Sequence, residues 1–211
     1  MIAKRSAACL IVMSALCATG VAAQDRVTTV GVLGGVNFAT FSGDIIGNAE
    51  TKVGFDLGGY VSFGISRNFA IETGALYSQR GAKVSEQGVT VKFKVNYIEV
   101  PLLLSARFPG QSAVTPFISA GPAVGIKVGC GVSVSGGGAT FGSGCEGIED
   151  ALGSDLKSTD FGLVGTAGVD VRALRFSIRY FRGLSSIADV APASVKNSVF
   201  SFLVGYGFRL R

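Results

Sequence analysis

The 211-residue chain contains no histidine. That absence removes Ser-His-Asp and Cys-His nucleophile pairs and every metal site built on imidazole. Proline is scarce, at five residues, and charge is thin, with Asp, Glu, Lys and Arg making up 16% of the chain. Beyond the N-terminus no stretch reaches the ~18 to 20 apolar residues that a transmembrane helix needs, although 48% of the residues are hydrophobic. What the chain has instead is 31 glycines and 15 phenylalanines. That mixture suits many strands joined by turns better than a helical bundle.

The N-terminus reads as an export signal. Lys4 and Arg5 form a positive segment, Ala7 to Leu16 a short apolar one, and Val21-Ala22-Ala23 a small-residue cleavage site before Gln24. Residues 1–23 are therefore expected to be cleaved and residues 24–211 to form one domain. An anchor helix is the bland alternative. A lipid anchor on Cys17 is disfavoured by Leu16, which stands where a lipobox needs a small residue. Cleavage removes Lys4 and Arg5 and leaves 17 basic against 14 acidic side chains, a net charge of +3 instead of +5. That excess is too small and scattered to imply nucleic acid. Cys130 and Cys145 then remain. In an oxidising compartment they are expected to form a disulfide, closing a loop of about 15 residues with a stabilisation of about 3 kcal/mol.

The dominant pattern has period two. In 52–65, Val53, Phe55, Leu57, Val61, Phe63 and Ile65 alternate with Lys52, Gly54, Asp56, Gly58, Tyr60, Ser62 and Gly64. Similar alternation fills 27–41, 69–81, 91–108, 115–128, 159–171, 174–183 and 198–210, giving eight strands long enough for the ~9 to 11 residues of a spanning strand. The connections alternate between long and short. Ser66-Arg67-Asn68, Pro109 to Ser112 and Arg172-Ala173 are tight, whereas the others are longer, including a stretch over 129–158 that holds both cysteines. The pattern predicts an all-β fold: an eight-stranded antiparallel transmembrane up-and-down β-barrel with short periplasmic turns and long outer loops.

A lipocalin-like or sandwich domain would also alternate. Its polar face would need abundant Lys and Glu, however, and here that face is mostly small residues with single charges. Small residues suit a narrow barrel interior. The inward charges are then Asp56, Glu72, Arg80, Lys92, Lys94, Glu99, Arg107, Lys127, Asp160, Asp170, Arg175, Arg179 and Arg209. Glu72 and Glu99 are expected to pair with members of the set Arg107, Arg175 and Arg179, forming a polar plug. In V-N-Y-I-E-V-P-L-L-L-S (95–105), placing Lys92, Lys94 and Asn96 inward would turn Glu99 toward lipid. A β-bulge near Tyr97 is therefore expected to reset the phase. Glu146, Glu149, Asp150 and Asp155 cluster in the 129–158 stretch without the spacing of a calcium loop. They read as a solvated acidic loop, with weak Ca²⁺ binding as the alternative. Neither Gly31-Val32-Leu33-Gly34-Gly35 nor Gly136-Gly137-Gly138 has the context of a phosphate-binding loop.

Four segments resemble a known family. They are Gly31 to Phe38 (G-x-x-G-G-x-N-F), Tyr97-Ile98-Glu99-Val100-Pro101-Leu102-Leu103, Pro116 to Pro122 (P-x-x-x-x-G-P), and Arg179-Tyr180 followed by Gly183-Leu184. In this order they resemble the outer-membrane β-barrel domain family that includes PorT-like proteins, relatives of the eight-stranded OmpA-type barrels. The resemblance implies insertion by the outer-membrane assembly machinery, for which Phe202, Tyr206 and Phe208 supply an aromatic-rich last strand. It also implies surrounding outer-membrane lipid and lipopolysaccharide. Barrel enzymes similar to lipid A deacylases, palmitoyl transferases or omptin proteases rely on histidine, so no enzymatic activity, cofactor or metal is expected. The expected product is a monomeric outer-membrane barrel with a structural or adhesive, loop-presenting role. A narrow channel for small solutes and an accessory subunit of a secretion system are the alternatives.

Overall fold

A computed structural model describes residues 27–42, 50–86, 88–137, 139–144, 157–186, 189–190, 193–194 and 196–210. The expected signal peptide, Cys145 and the acidic cluster Glu146 to Asp155 lie outside the described residues. The strands are β1 (Thr28–Ser42), β2 (Glu50–Gly64), β3 (Phe69–Glu86), β4 (Val89–Arg107), β5 (Val114–Gly136), β6 (Ala139–Ser143), β7 (Thr159–Val171), β8 (Leu174–Gly183), β9 (Asp189–Val190), β10 (Ala193–Ser194) and β11 (Lys196–Leu210).

Eight of these strands close a ring in the order β1-β2-β3-β4-β5-β7-β8-β11, with every neighbouring pair antiparallel. Closure by β1 against β11 runs without a break from Thr28↔Leu210 to Ser42↔Lys196, so the sheet leaves no edge in this region. The alternation dictates the two faces. Val32, Leu57, Leu102, Phe202 and Val204 are each at least half exposed on the outer wall, whereas Asn37, Asp56, Glu99, Ser105 and Ser201 are buried inside it. Aromatic contacts such as Tyr206 with Phe208 (centroids 4.9 Å apart) and Phe55 with Tyr77 (5.5 Å) lie on that outer wall, as in the girdles of membrane barrels.

β3, β4 and β5 run for 18, 19 and 23 residues, well beyond a membrane crossing. Only residues 87–88 separate β3 from β4, so a connection expected to be a loop is mostly strand. The same holds for 129–136 and 139–143, expected within the 129–158 loop and found as the end of β5 and as β6. These segments make a four-stranded extension at the end opposite the short turns.

The extension reverses polarity. On the outer face, the row Tyr77↔Ile98↔Ile126 is apolar. The next row is Gln79↔Asn96↔Gly129, and beyond it come Lys83↔Lys92↔Ser133 and Ser85↔Thr90↔Ser135. On the other face, below the boundary, stand Glu99 and Tyr97, and above it Ala82↔Phe93↔Val132 and Val84↔Val91↔Val134. Polar groups face lipid nowhere along these rows; past the bilayer, water takes the lipid's place and the polar residues change sides.

This corrects the placement of Lys92 and Lys94. Both are exposed and share the outer-face phase, and the alternation of β4 passes through Tyr97 without a slip. A bulge does lie at that height, but its extra residue is Val128 of β5, between the pairs Tyr97↔Lys127 and Asn96↔Gly129. Glu99 therefore points inward with no reset of its own strand. Pro101 sits where the β3–β4 ladder lapses between Thr73↔Leu102 and Leu76↔Glu99, and its carbonyl accepts a 2.8 Å hydrogen bond from the Thr73 hydroxyl.

Candidate functional site

The interior carries two charged layers separated by an apolar one. The layer nearer the short turns is built from Glu72 on β3, Arg107 on β4, Asp170 on β7 and Arg175 on β8. Arg175 grips two carboxylates, Glu72 through Nη1 and Nη2 (both 3.2 Å) and Asp170 through Nε and Nη2 (2.8 and 3.1 Å). The rings of Tyr60 and Phe117 lie 4.5 and 4.3 Å from its guanidinium carbon. Arg107 reaches Glu72 (3.0 Å) and the Ser62 hydroxyl (2.9 Å) through Nη2. Planar guanidinium suits this work, because it can hydrogen-bond along its edges while stacking on its faces.

Leu76, Leu103 and Leu203, all buried, form the middle of the lumen. A cavity of about 40 Å³ lies there, bordered by Thr166, Arg175 and Arg179. The buried Thr166 hydroxyl has no protein partner among the described residues, and the space is large enough for water.

The outer layer is centred on Glu99. Its two carboxylate oxygens are taken by different arginines, Oε2 by Arg80 and Oε1 by Arg179. Arg80 also bonds Asp160 (3.0 Å) and stacks near the rings of Phe181 (3.9 Å) and Tyr97 (5.0 Å). Asp160 further accepts from Asn197 (2.7 Å) and Ser185 (3.3 Å). Nearby, Asp56 accepts from Asn37 and Ser201, each at 2.6 Å.

The ion pairs of each layer thus join two arginines to two carboxylates. Of the five charges singled out from the sequence, Glu72, Arg107 and Arg175 meet in one layer, and Glu99 and Arg179 in the other. Arg80, Asp160 and Asp170 carry as much of the arrangement. Strand parity had placed them inside, but their partners depend on which strands face one another across the ring. Cys130 lies beyond the bulge, in register with Val95. Among the described residues, no cluster of three or more His, Cys, Asp or Glu groups can hold a metal ion.

A family model described as outer membrane protein beta-barrel domain matches residues 22–189. Among solved structures, the outer membrane protein OprG from Pseudomonas aeruginosa is 15% identical, with 87% of this chain and 97% of that one covered and a TM-score of 0.48. Neisserial surface protein A is 17% identical over 85% of this chain and 97% of its own, with a TM-score of 0.47. The attachment invasion locus protein Ail of Yersinia pestis is 15% identical over 85% and 98%, with a TM-score of 0.43. No curated protein matches the chain.

Proposed function

The chain belongs to the outer-membrane β-barrel domain family and resides in the outer membrane, and from that premise we propose that it is a closed, non-catalytic barrel that presents its outer extension to partners. The observation that carries this reading is the pair of ion-paired layers, each locked by aromatic rings, with leucines between them. A solute crossing the lumen would have to break several buried ion pairs, and leaving even one buried charge without its partner costs about 3–5 kcal/mol. Function then falls to the surface above the bilayer. There β3 to β6 offer a lysine- and hydroxyl-bearing face and, on the other side, an apolar row ending in Phe141, which is 74% exposed. A rigid ring that fixes such a sheet at constant height is well suited to adhesive contact.

Planar-bilayer recording of the folded protein tests the closed lumen. The expected result is silence at all voltages. Discrete conductance steps would overturn the reading in favour of a narrow channel. Affinity capture with the intact protein, compared with a variant lacking residues 82–93, then identifies contacts made by the extension; a retained secretion-system component would point to the accessory-subunit role.

A further inference from the structure

At the end with the short turns, the mouth of the barrel opens into a cavity of about 540 Å³. Three arginines line it: Arg67 in the β2–β3 turn, Arg107 at the end of β4 and Arg209 near the end of β11. No Asp or Glu does. Neither the Arg67 nor the Arg209 side chain has a hydrogen-bond or ion-pair partner among the described residues. Arg107 is engaged only through Nη2, and its buried Nε is unpaired. Its carboxylate partner, Glu72, is already shared with Arg175, so the described lining keeps an excess of positive charge.

The turn fixes the backbone that carries Arg67 and Arg107. The Ser66 hydroxyl accepts from the Asn68 and Phe69 amides (3.3 and 3.1 Å), which stiffens the segment carrying Arg67. The Asn68 side chain donates to the Arg107 carbonyl (3.0 Å), and the Arg107 amide donates to the Asn68 carbonyl (2.7 Å). The backbones at Arg67 and Arg107 are thereby tied together at the start of the β3–β4 ladder. Leaving like charges together without counter-ions is unfavourable unless an anion completes the group, and guanidinium donors match a phosphate group in geometry.

We propose that this mouth is a binding site for a phosphate group. The wall also includes Ile65 and Phe69, both exposed on the outer surface, so the phosphate can belong to an inner-leaflet lipid headgroup or to a soluble solute. The site is independent of any contact made by the outer extension.

Isothermal titration of pyrophosphate into the full folded chain in octyl glucoside tests it. The expected result is saturable one-to-one binding, weakened at least tenfold in the Arg67→Ala/Arg209→Ala variant. Both replaced side chains are exposed, and circular dichroism verifies that the barrel is intact. Native mass spectrometry of protein extracted from membranes distinguishes the source. A phospholipid retained by the wild type and lost from the variant assigns a headgroup; a bare wild-type chain that binds pyrophosphate assigns a soluble phosphate. Absence of both saturable binding and retained lipid, or equal behaviour of the two proteins, overturns the proposal.

Discussion

Glu99 holds two guanidinium groups, and it, Arg80 and Arg179 are all nearly inaccessible to water. Removing that carboxylate by Glu99→Ala leaves Arg80 with Asp160 alone and takes from Arg179 its carboxylate partner. The expected loss is about 3–5 kcal/mol, read as a fall in the urea midpoint of the protein in lipid vesicles. The Lys83–Glu50 pair is a useful contrast. At 2.7 Å it is as close as the buried Arg175–Asp170 pair at 2.8 Å, but its side chains are 34% and 48% exposed. Water screens it, so Glu50→Ala is expected to change stability by about 0–1 kcal/mol. Equal effects of the two substitutions would show that burial does not set the strength of these pairs.

At the scale of the element, the β7–β8 turn carries a visible cost. Val171 pairs with Leu174, so Arg172 and Ala173 alone make the turn, and Arg172 adopts φ 58°. Glycine is favoured there because it has no Cβ to clash. Arg172→Gly is expected to stabilise the barrel by about 1 kcal/mol, measured by the same unfolding transition. Gly81 is the converse case. Its φ is 141° and a Cβ would meet the Phe93 carbonyl. Gly81→Val is expected to cost on the order of 1–3 kcal/mol, with faster hydrogen exchange confined to the β3–β4 extension. The strands themselves were legible in the sequence: 159–171 and 174–183 match β7 and β8 residue for residue, because tight turns and strict alternation bound them. The continuation of β3, β4 and β5 was not. Alternation persists past the membrane while the meaning of its two faces inverts, so Lys92 and Lys94 looked like lumen residues. Likewise parity revealed that Arg80 and Asp160 point inward, but a contact across 80 positions of sequence exists only once the ring has closed.

For the whole molecule, depth in the bilayer follows from the outer wall. Leu102 lies within the apolar band and Ile98 on its last row before Asn96. Leu102→Lys is expected to cost about 2–4 kcal/mol and Ile98→Lys about 0–1 kcal/mol, a difference that reversible unfolding in vesicles resolves. Thiol titration of the exported protein is expected to find no free cysteine before reduction and two after, from the proposed Cys130–Cys145 bond. The row Gln79–Asn96–Gly129 then works as a waterline. The molecule floats at a draught set by wetting alone: sinking by one row drags Lys94 and Lys92 toward hydrocarbon, and rising by one row lifts Tyr77 and Ile98 into water. Whatever meets the sheet from outside meets it at a fixed freeboard.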